Sequence, residues 1–165
     1  MNEKKNLTTE ETFALAVQNH KKNNLQVAEN LYNETLKTNP NHVDAHNNLG
    51  IVLNELGEHQ KAMSCYEKAI QIQPNFVNAH NNLGAVYFEL GEHQKAIGCY
   101  KKVIQIEPNN LTSHWLSKNT FPIIYKNLKE IDMYRKKFED DTKKINHLLD
   151  TKYQYTKKQI VDGMK

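Results

Sequence analysis

The sequence predicts an all-α protein, a solenoid of three helical hairpins followed by C-terminal capping helices. Residues 43–76 and 77–110 align over 34 positions, of which 24 are identical. Prolines recur at the same interval, at Pro40, Pro74 and Pro108. Between the prolines, apolar residues recur every three or four positions, which is the spacing of amphipathic helices.

The first repeat, residues 9–42, is the least regular of the three. Thr8 with Glu11 three positions later is a capping-box pattern, which predicts that a helix begins at residue 9. This helix is expected to extend to residue 22, and the pair Asn23-Asn24 predicts the turn after it. Residues 1–8 are polar, and we expect them to be disordered.

The second repeat contains two amphipathic stretches, 43–56 and 59–72. Gly57 is expected to end the first, because glycine adopts the left-handed conformation at little cost, and Pro74 stops the second. The third repeat, 77–110, has the same pattern. Small side chains are expected to let the two helices of a hairpin approach closely beside a tyrosine: Gly50, Ala62 and Tyr66 in the second repeat.

After the third repeat, residues 111–127 are predicted to form a partial fourth repeat and a connector. Residues 128–165 are predicted to form an amphipathic helix, to about residue 150, and a tail. The apolar stripe of this helix is expected either to cover the open end of the third hairpin or to dock on a further domain. Its members recur at helical spacing: Ile131, Tyr134, Phe138, Thr142, Ile145 and Leu149.

Charge is unevenly distributed along the chain. Residues 1–110 have 10 Lys/Arg against 12 Asp/Glu, a net −2, and residues 111–165 have 12 against 7, a net +5. The basic residues of the second part alternate with acids, which favours a solvated helix face over a nucleic-acid surface. No apolar run is long enough for a signal peptide or a membrane span, so a cytoplasmic protein is predicted.

Cysteine and histidine follow the repeat as well. Cys65 and Cys99 lie 34 residues apart, and equivalent helices of stacked hairpins are about 8–10 Å apart. That is too far for a disulfide, so both thiols are predicted to be reduced. The same spacing separates the recurring histidines, which include His46, His80 and His114. Metal ligands must converge on one ion, so neither a metal nor another cofactor is expected.

The repeat pattern resembles that of the tetratricopeptide repeat (TPR) family, in which an aromatic residue, Leu-Gly, a second aromatic, Ala, a third aromatic and Pro recur every 34 residues. The second repeat has matching positions at His46, Leu49-Gly50, Leu53, Ala62, Tyr66 and Pro74. The resemblance implies a right-handed solenoid whose concave groove, lined by the first helix of each hairpin, binds another protein or peptide. No catalytic motif is found in the sequence, and this chain is expected not to be an enzyme.

The predicted groove residues lie on the first helices of the second and third repeats: Asn47, Asn48, Ile51, Asn54, Asn78, Asn81, Asn82, Ala85 and Phe88. The paired asparagines are the informative feature, because an amide offers both a donor and an acceptor to a peptide backbone. The alternative is that one repeat was duplicated with its whole surface, since His-Gln-Lys at 59–61 also recurs at 93–95.

The string Ala-His-Asn-Asn-Leu-Gly, at 45–50 and 79–84, resembles repeats of bacterial SPINDLY-type and O-linked N-acetylglucosamine transferases. Segment 119–150 is similar to the connector that follows those repeats. In that family the groove Asn before the Leu holds substrate polypeptide, and the matching residues here are Asn48 and Asn82. Because the chain stops at Lys165, the resemblance implies a substrate-recruiting part of a transferase whose catalytic domain lies elsewhere.

The leading hypothesis is therefore a protein-interaction scaffold that binds an extended polypeptide in its groove. One alternative is the N-terminal fragment of a protein glycosyltransferase, with that catalytic domain as a further partner in the parent protein. A second alternative is a purely structural oligomerisation module. The sequence leaves open the identity of the partner, the oligomeric state and whether the chain is a fragment.

Overall fold

The structure, a computed structural model, describes residues 7–119, 132–133, 135–137, 139–144 and 146–150. All regular elements among these residues are α-helices, which confirms the predicted fold class. The described residues between 132 and 150 are also helical. In chain order the preceding helices are α1 (Thr9–Lys21), α2 (Leu25–Thr38), α3 (Val43–Glu55), α4 (His59–Ile72), α5 (Val77–Glu89), α6 (His93–Ile106) and α7 (Leu111–Asn119).

The helix ends lie where local sequence signals predict them, within a residue. Thr8 Oγ1 accepts from the Glu11 amide at 3.2 Å, and the Thr8 amide donates to the Glu11 carboxylate at 2.9 Å, which completes the capping box. The turn after α1 uses Asn23 with φ 60°, and those after α3 and α5 use Gly57 with φ 78° and Gly91 with φ 75°. All three residues are therefore in the left-handed region that glycine and asparagine tolerate best.

The helices pair as antiparallel hairpins, α1 with α2, α3 with α4 and α5 with α6, and the second helix of each packs on the first helix of the next. The first helices also contact one another, α1 with α3 and α3 with α5, whereas the second helices of the described repeats lie farther apart. The stack therefore curves towards α1, α3 and α5, which line its concave side. Small and aromatic residues shared by the hairpins form the core, including Ala16, Ala28, Tyr32, Ala45, Ala62, Tyr66, Ala96 and Tyr100.

In the second and third hairpins, a glycine of the first helix lies directly under a tyrosine ring of the second, whereas the first hairpin has Ala16 at this position. A Cβ atom added at Gly50 would lie 2.6 Å from Tyr66 Cε1, and one added at Gly84 would lie 2.8 Å from Tyr100 Cε1. These distances are well inside van der Waals contact. The close approach that the sequence predicts is thus real, and it requires the absence of a side chain at both glycines.

The recurring histidines His46, His80 and His114 each form a hydrogen bond to the turn that precedes their helix. Nε2 of His46 lies 2.9 Å from the Pro40 carbonyl oxygen, and His80 makes the same contact with Pro74, also at 2.9 Å. His114 and Pro108 repeat it at 2.8 Å. Because a carbonyl oxygen only accepts, each Nε2 carries the hydrogen. This explains a histidine where the family pattern has an apolar aromatic residue.

The helical residues near the C-terminus contact α7. Lys118 Nζ lies 3.4 Å from the Asp141 carboxylate, which is buried. Thr142 is half-buried, whereas Leu149 is 45% exposed. The predicted apolar stripe is thus covered only in part among the described residues. Its other members, Ile131, Tyr134, Phe138 and Ile145, lie outside the described residues, as do residues 1–6 of the stretch predicted to be disordered.

Two glycine-to-alanine substitutions are expected to have opposite effects on stability. Gly50→Ala places a methyl group against the buried Tyr66 ring and should lower the free energy of unfolding by about 1–3 kcal/mol. Gly98 lies inside α6 with open space around it, so Gly98→Ala should raise that free energy by about 0.5–1 kcal/mol. Urea unfolding followed by circular dichroism measures both. Equal effects of the two substitutions would contradict the close packing.

Candidate functional site

One stripe of residues on each first helix faces the concave side, and we call these three stripes together the groove face. On α3 the spacing of four, three and four residues places the stripe on one side of the helix, away from buried Leu49 and Val52. The groove face consists of Glu10, Ala14, Val17 and Lys21 on α1, of Asp44, Asn48, Ile51 and Glu55 on α3, and of Asn78, Asn82, Ala85 and Glu89 on α5.

Three of the predicted asparagines form one chain of amides across α3 and α5. Asn82 Nδ2 donates to Asn47 Oδ1 at 2.9 Å, and Asn47 Nδ2 donates to Asn48 Oδ1 at 3.2 Å. Asn47 is only 4% exposed. Its prediction as a groove contact is therefore corrected: the Asn47 side chain lies between two hairpins and joins the two groove asparagines.

This row of hydrogen-bonded amides leaves a different polar group free at each end. Asn48, whose amide also lies beside the Tyr32 hydroxyl, keeps at least one N–H donor, and Asn82 keeps its carbonyl oxygen as an acceptor. If all three amide groups are rotated by 180°, so that oxygen and nitrogen change places, the hydrogen bonds run in the opposite direction. One end of the row still donates and the other still accepts. The groove face thus presents one amide donor and one amide acceptor on adjacent repeats, both oriented by Asn47.

The other predicted residues divide into those occupied within the fold and those exposed. Asn81 Oδ1 accepts from Ser113 Oγ of α7 at 3.1 Å, so this amide joins the third hairpin to α7. Ile51 is half-buried against the core. Asn78 and Ala85 are exposed on the groove face.

Asn54 and Phe88 occupy equivalent positions, one repeat apart, but they make different contacts with the second helix of their hairpin. Asn54 Oδ1 lies 2.8 Å from His59 Nδ1 and joins the two helices of the second hairpin. In the third hairpin Phe88 packs on the His93 ring with 5.5 Å between centroids, and the buried His93 Nδ1 has no partner among the described residues. Phe88 is 45% exposed, so this substitution replaces an internal hydrogen bond by an apolar surface near the groove.

The first repeat, whose Phe13 and His20 the sequence also predicts to face the groove, makes further contacts with the second repeat. His20 Nε2 lies 3.2 Å from the Glu55 carboxylate on α3, and the Phe13 ring stacks on the His42 ring at 4.5 Å. The buried Tyr32 hydroxyl has no well-formed hydrogen bond among the described residues. Burial raises the pKa of Tyr32, and the neighbouring Asn48 amide partly offsets this effect. Asn48 is thus held above the first hairpin as well as beside Asn47.

Both cysteines lie outside the groove face, on the second helices. Cys65 and Cys99 are free thiols, and burial raises the pKa of each from 9.0 to about 11. They are therefore protonated near neutral pH and poorly suited to act as nucleophiles. Among the described residues, no three His, Cys, Asp or Glu side chains could hold a metal ion. Nor does any helix in this part of the chain combine the length and apolarity needed to cross a membrane.

The fold and this geometry define a class, a helical-repeat protein with an inward-facing groove. Family models agree: two for the tetratricopeptide repeat match residues 31–63 and 77–110, and one for the TPR repeat matches residues 52–91. Residues 31–110 therefore consist of TPR repeats, and the fold is a TPR-like solenoid of helical hairpins, as the repeat pattern predicts. No curated protein sequence matches it at a significant level.

Solved structures share this fold at low sequence identity. A crystal structure of MamA is 22% identical with a TM-score of 0.75, covering 90% of this chain and 82% of MamA. MamA from Desulfovibrio magneticus RS-1 is 19% identical with a TM-score of 0.71, covering 87% of this chain and 77% of that one. The Arabidopsis OM64 TPR domain is 23% identical with a TM-score of 0.65, covering 68% and 93%. The comparisons give no support to the glycosyltransferase resemblance.

The raised thiol pKa values predict a loss of stability at high pH. In the unfolded chain the thiols ionise above about pH 9, whereas the folded thiols resist ionisation up to about pH 11. Their contribution to stability is complete below pH 9 and is lost between those values. Urea unfolding from pH 8 to pH 11 should show this fall, and Cys65→Ala with Cys99→Ala should make it shallower. Identical slopes in the two proteins would contradict burial of the thiols.

Proposed function

We propose that this chain is a protein-interaction scaffold that binds an extended polypeptide along its groove face. The observation that carries the proposal is the Asn82–Asn47–Asn48 chain, which leaves one donor and one acceptor on the groove face. A peptide group carries both an acceptor and a donor. The two free amide functions therefore complement a polypeptide backbone without reference to its side chains.

The spacing of the helices suits such a ligand. Packed helices lie about 8–10 Å apart, and an extended chain advances about 3.3 Å per residue. Backbone groups about three residues apart would thus meet Asn48 and Asn82 in turn. Val17, Ile51 and Ala85 run between the two ends of the groove face and offer apolar contact to the side chains of the same segment.

A narrower form of this proposal is substrate recruitment for a protein glycosyltransferase, with that enzyme's catalytic domain as a second partner. Its support is the resemblance of Asn48 and Asn82 to the groove asparagines of that family. It stays a prediction from the sequence, as does a cytoplasmic location. The general scaffold and the substrate-recruiting form both bind a polypeptide on the same groove face. One binding experiment therefore tests this property for both.

Removing the two free amides should weaken peptide binding. Peptides selected from a random displayed library on the wild-type protein are labelled and titrated by fluorescence anisotropy. Asn48→Ala with Asn82→Ala should raise Kd about tenfold, because two hydrogen bonds each contribute about 0.5–1.5 kcal/mol. Thermal unfolding of each variant must accompany the titration, because Asn82→Ala also removes the donor to Asn47.

Asn33→Ala is the matched control, since Asn33 is an exposed amide on α2, outside the groove face. It should leave Kd unchanged. If the double variant is folded and binds the selected peptides as tightly as the wild type, the groove proposal is wrong. A stable dimer in light scattering, together with failure to select any peptide, would favour the oligomerisation module instead.

A further inference from the structure

The groove face is acidic at both rims. Glu10 and Asp44 lie in the first turns of α1 and α3, and Glu55 and Glu89 are the last residues of α3 and α5. Within the three stripes that make up the groove face, Lys21 is the one cationic side chain. The row of free amides therefore lies between two rows of carboxylates.

These carboxylates are available to a ligand, unlike the two acids that directly precede α4 and α6. Glu58 pairs with Lys61, and Glu92 pairs with Lys95, one repeat apart. Asp44 and Glu89 are exposed and have no ion pair among the described residues. Among the described residues, the Glu55 carboxylate makes one polar contact, with the His20 ring, and its side chain remains 45% exposed.

The charge of the groove face is opposite in sign to that of the whole chain. Burial first, and then neighbouring groups that include Glu89 and Glu55, raise the pKa of Tyr66 in the core behind α3. Glu89 also contributes, after burial, to raising the pKa of Tyr100 to about 12. The whole chain has a net charge of +3, so its overall charge would favour acidic partners. The groove face has the opposite local sign.

We infer that the polypeptide bound by the groove is basic, with lysine or arginine side chains reaching the carboxylates at the rims while its backbone meets Asn48 and Asn82. This inference rests on the proposed function and adds the chemistry of its partner. Carboxylates accept the N–H donors of lysine and arginine in charge-assisted hydrogen bonds. They also repel acidic segments, so the rims select between partners whose backbones are identical.

The test uses three synthetic peptides that differ only at a few positions, occupied by Lys, by Gln or by Glu. Fluorescence anisotropy is measured at about 0.1 M salt, where charges interact over about 10 Å. The Lys peptide should bind about fivefold more tightly than the Gln peptide, because two exposed ion pairs contribute modestly, and the Glu peptide should bind most weakly. Because Glu10 and Asp44 remain at the other rim, Glu55→Gln with Glu89→Gln should bring the Lys peptide closer to the Kd of the Gln peptide, which itself should not change.

Glu34→Gln with Glu67→Gln is the matched control. It makes the same change in net charge at exposed positions on α2 and α4, outside the groove face, and should preserve the preference for Lys. Equal binding of the Lys and Glu peptides, or equal effects of the two pairs of substitutions, would overturn the inference.

The same titrations separate this inference from the proposed function. If all three peptides bind the wild-type protein equally and bind the Asn48→Ala, Asn82→Ala variant more weakly, the proposal of backbone binding is supported. The inference that the groove prefers basic segments is then wrong. If none of the three peptides binds and library selection also fails, both the groove proposal and the preference for basic segments are wrong.

Discussion

The packing of the second and third hairpins depends on the contact between a bare glycine of the first helix and a tyrosine ring of the second. At Gly50 and Gly84 the ring lies where a Cβ atom would be, so the helices of these two hairpins pack more closely than a larger residue would permit. This contact fixes how the first helix is rotated about its axis. Because the geometry repeats at Gly50 and Gly84, α3 and α5 turn the same stripe of residues to the concave side.

The same rotation gives the members of each asparagine pair different roles. Asn47 is buried between hairpins, whereas Asn48 and Asn82 lie on the groove face and are held by Asn47. Buried polar groups that are fully hydrogen-bonded rigidify their surroundings. The functional side chains are thus oriented before a ligand arrives, which reduces the entropy lost on binding. Structural and binding roles are combined in one short string of sequence.

The helix bounds and turns could be predicted because they depend on local signals, such as the capping box at Thr8 and the left-handed Gly57. The role of Asn47 could not, since the side of a helix that meets the next repeat changes with a rotation of one residue. Nor could the bond from His80 to the Pro74 carbonyl, which joins a side chain to a turn six residues earlier. The mixed donor and acceptor ends of the groove required coordinates, because they depend on which amide bonds which.

The central claim is that a polypeptide backbone lies on α1, α3 and α5 and meets the amides of Asn48 and Asn82. Nuclear magnetic resonance of ¹⁵N-labelled protein, titrated with a selected peptide, tests it most directly because side-chain amides give their own signals. We expect the Asn48 and Asn82 amide signals to shift together with backbone signals of the groove face. Shifts confined to α2, α4 and α6, with both amide signals unmoved, would contradict it.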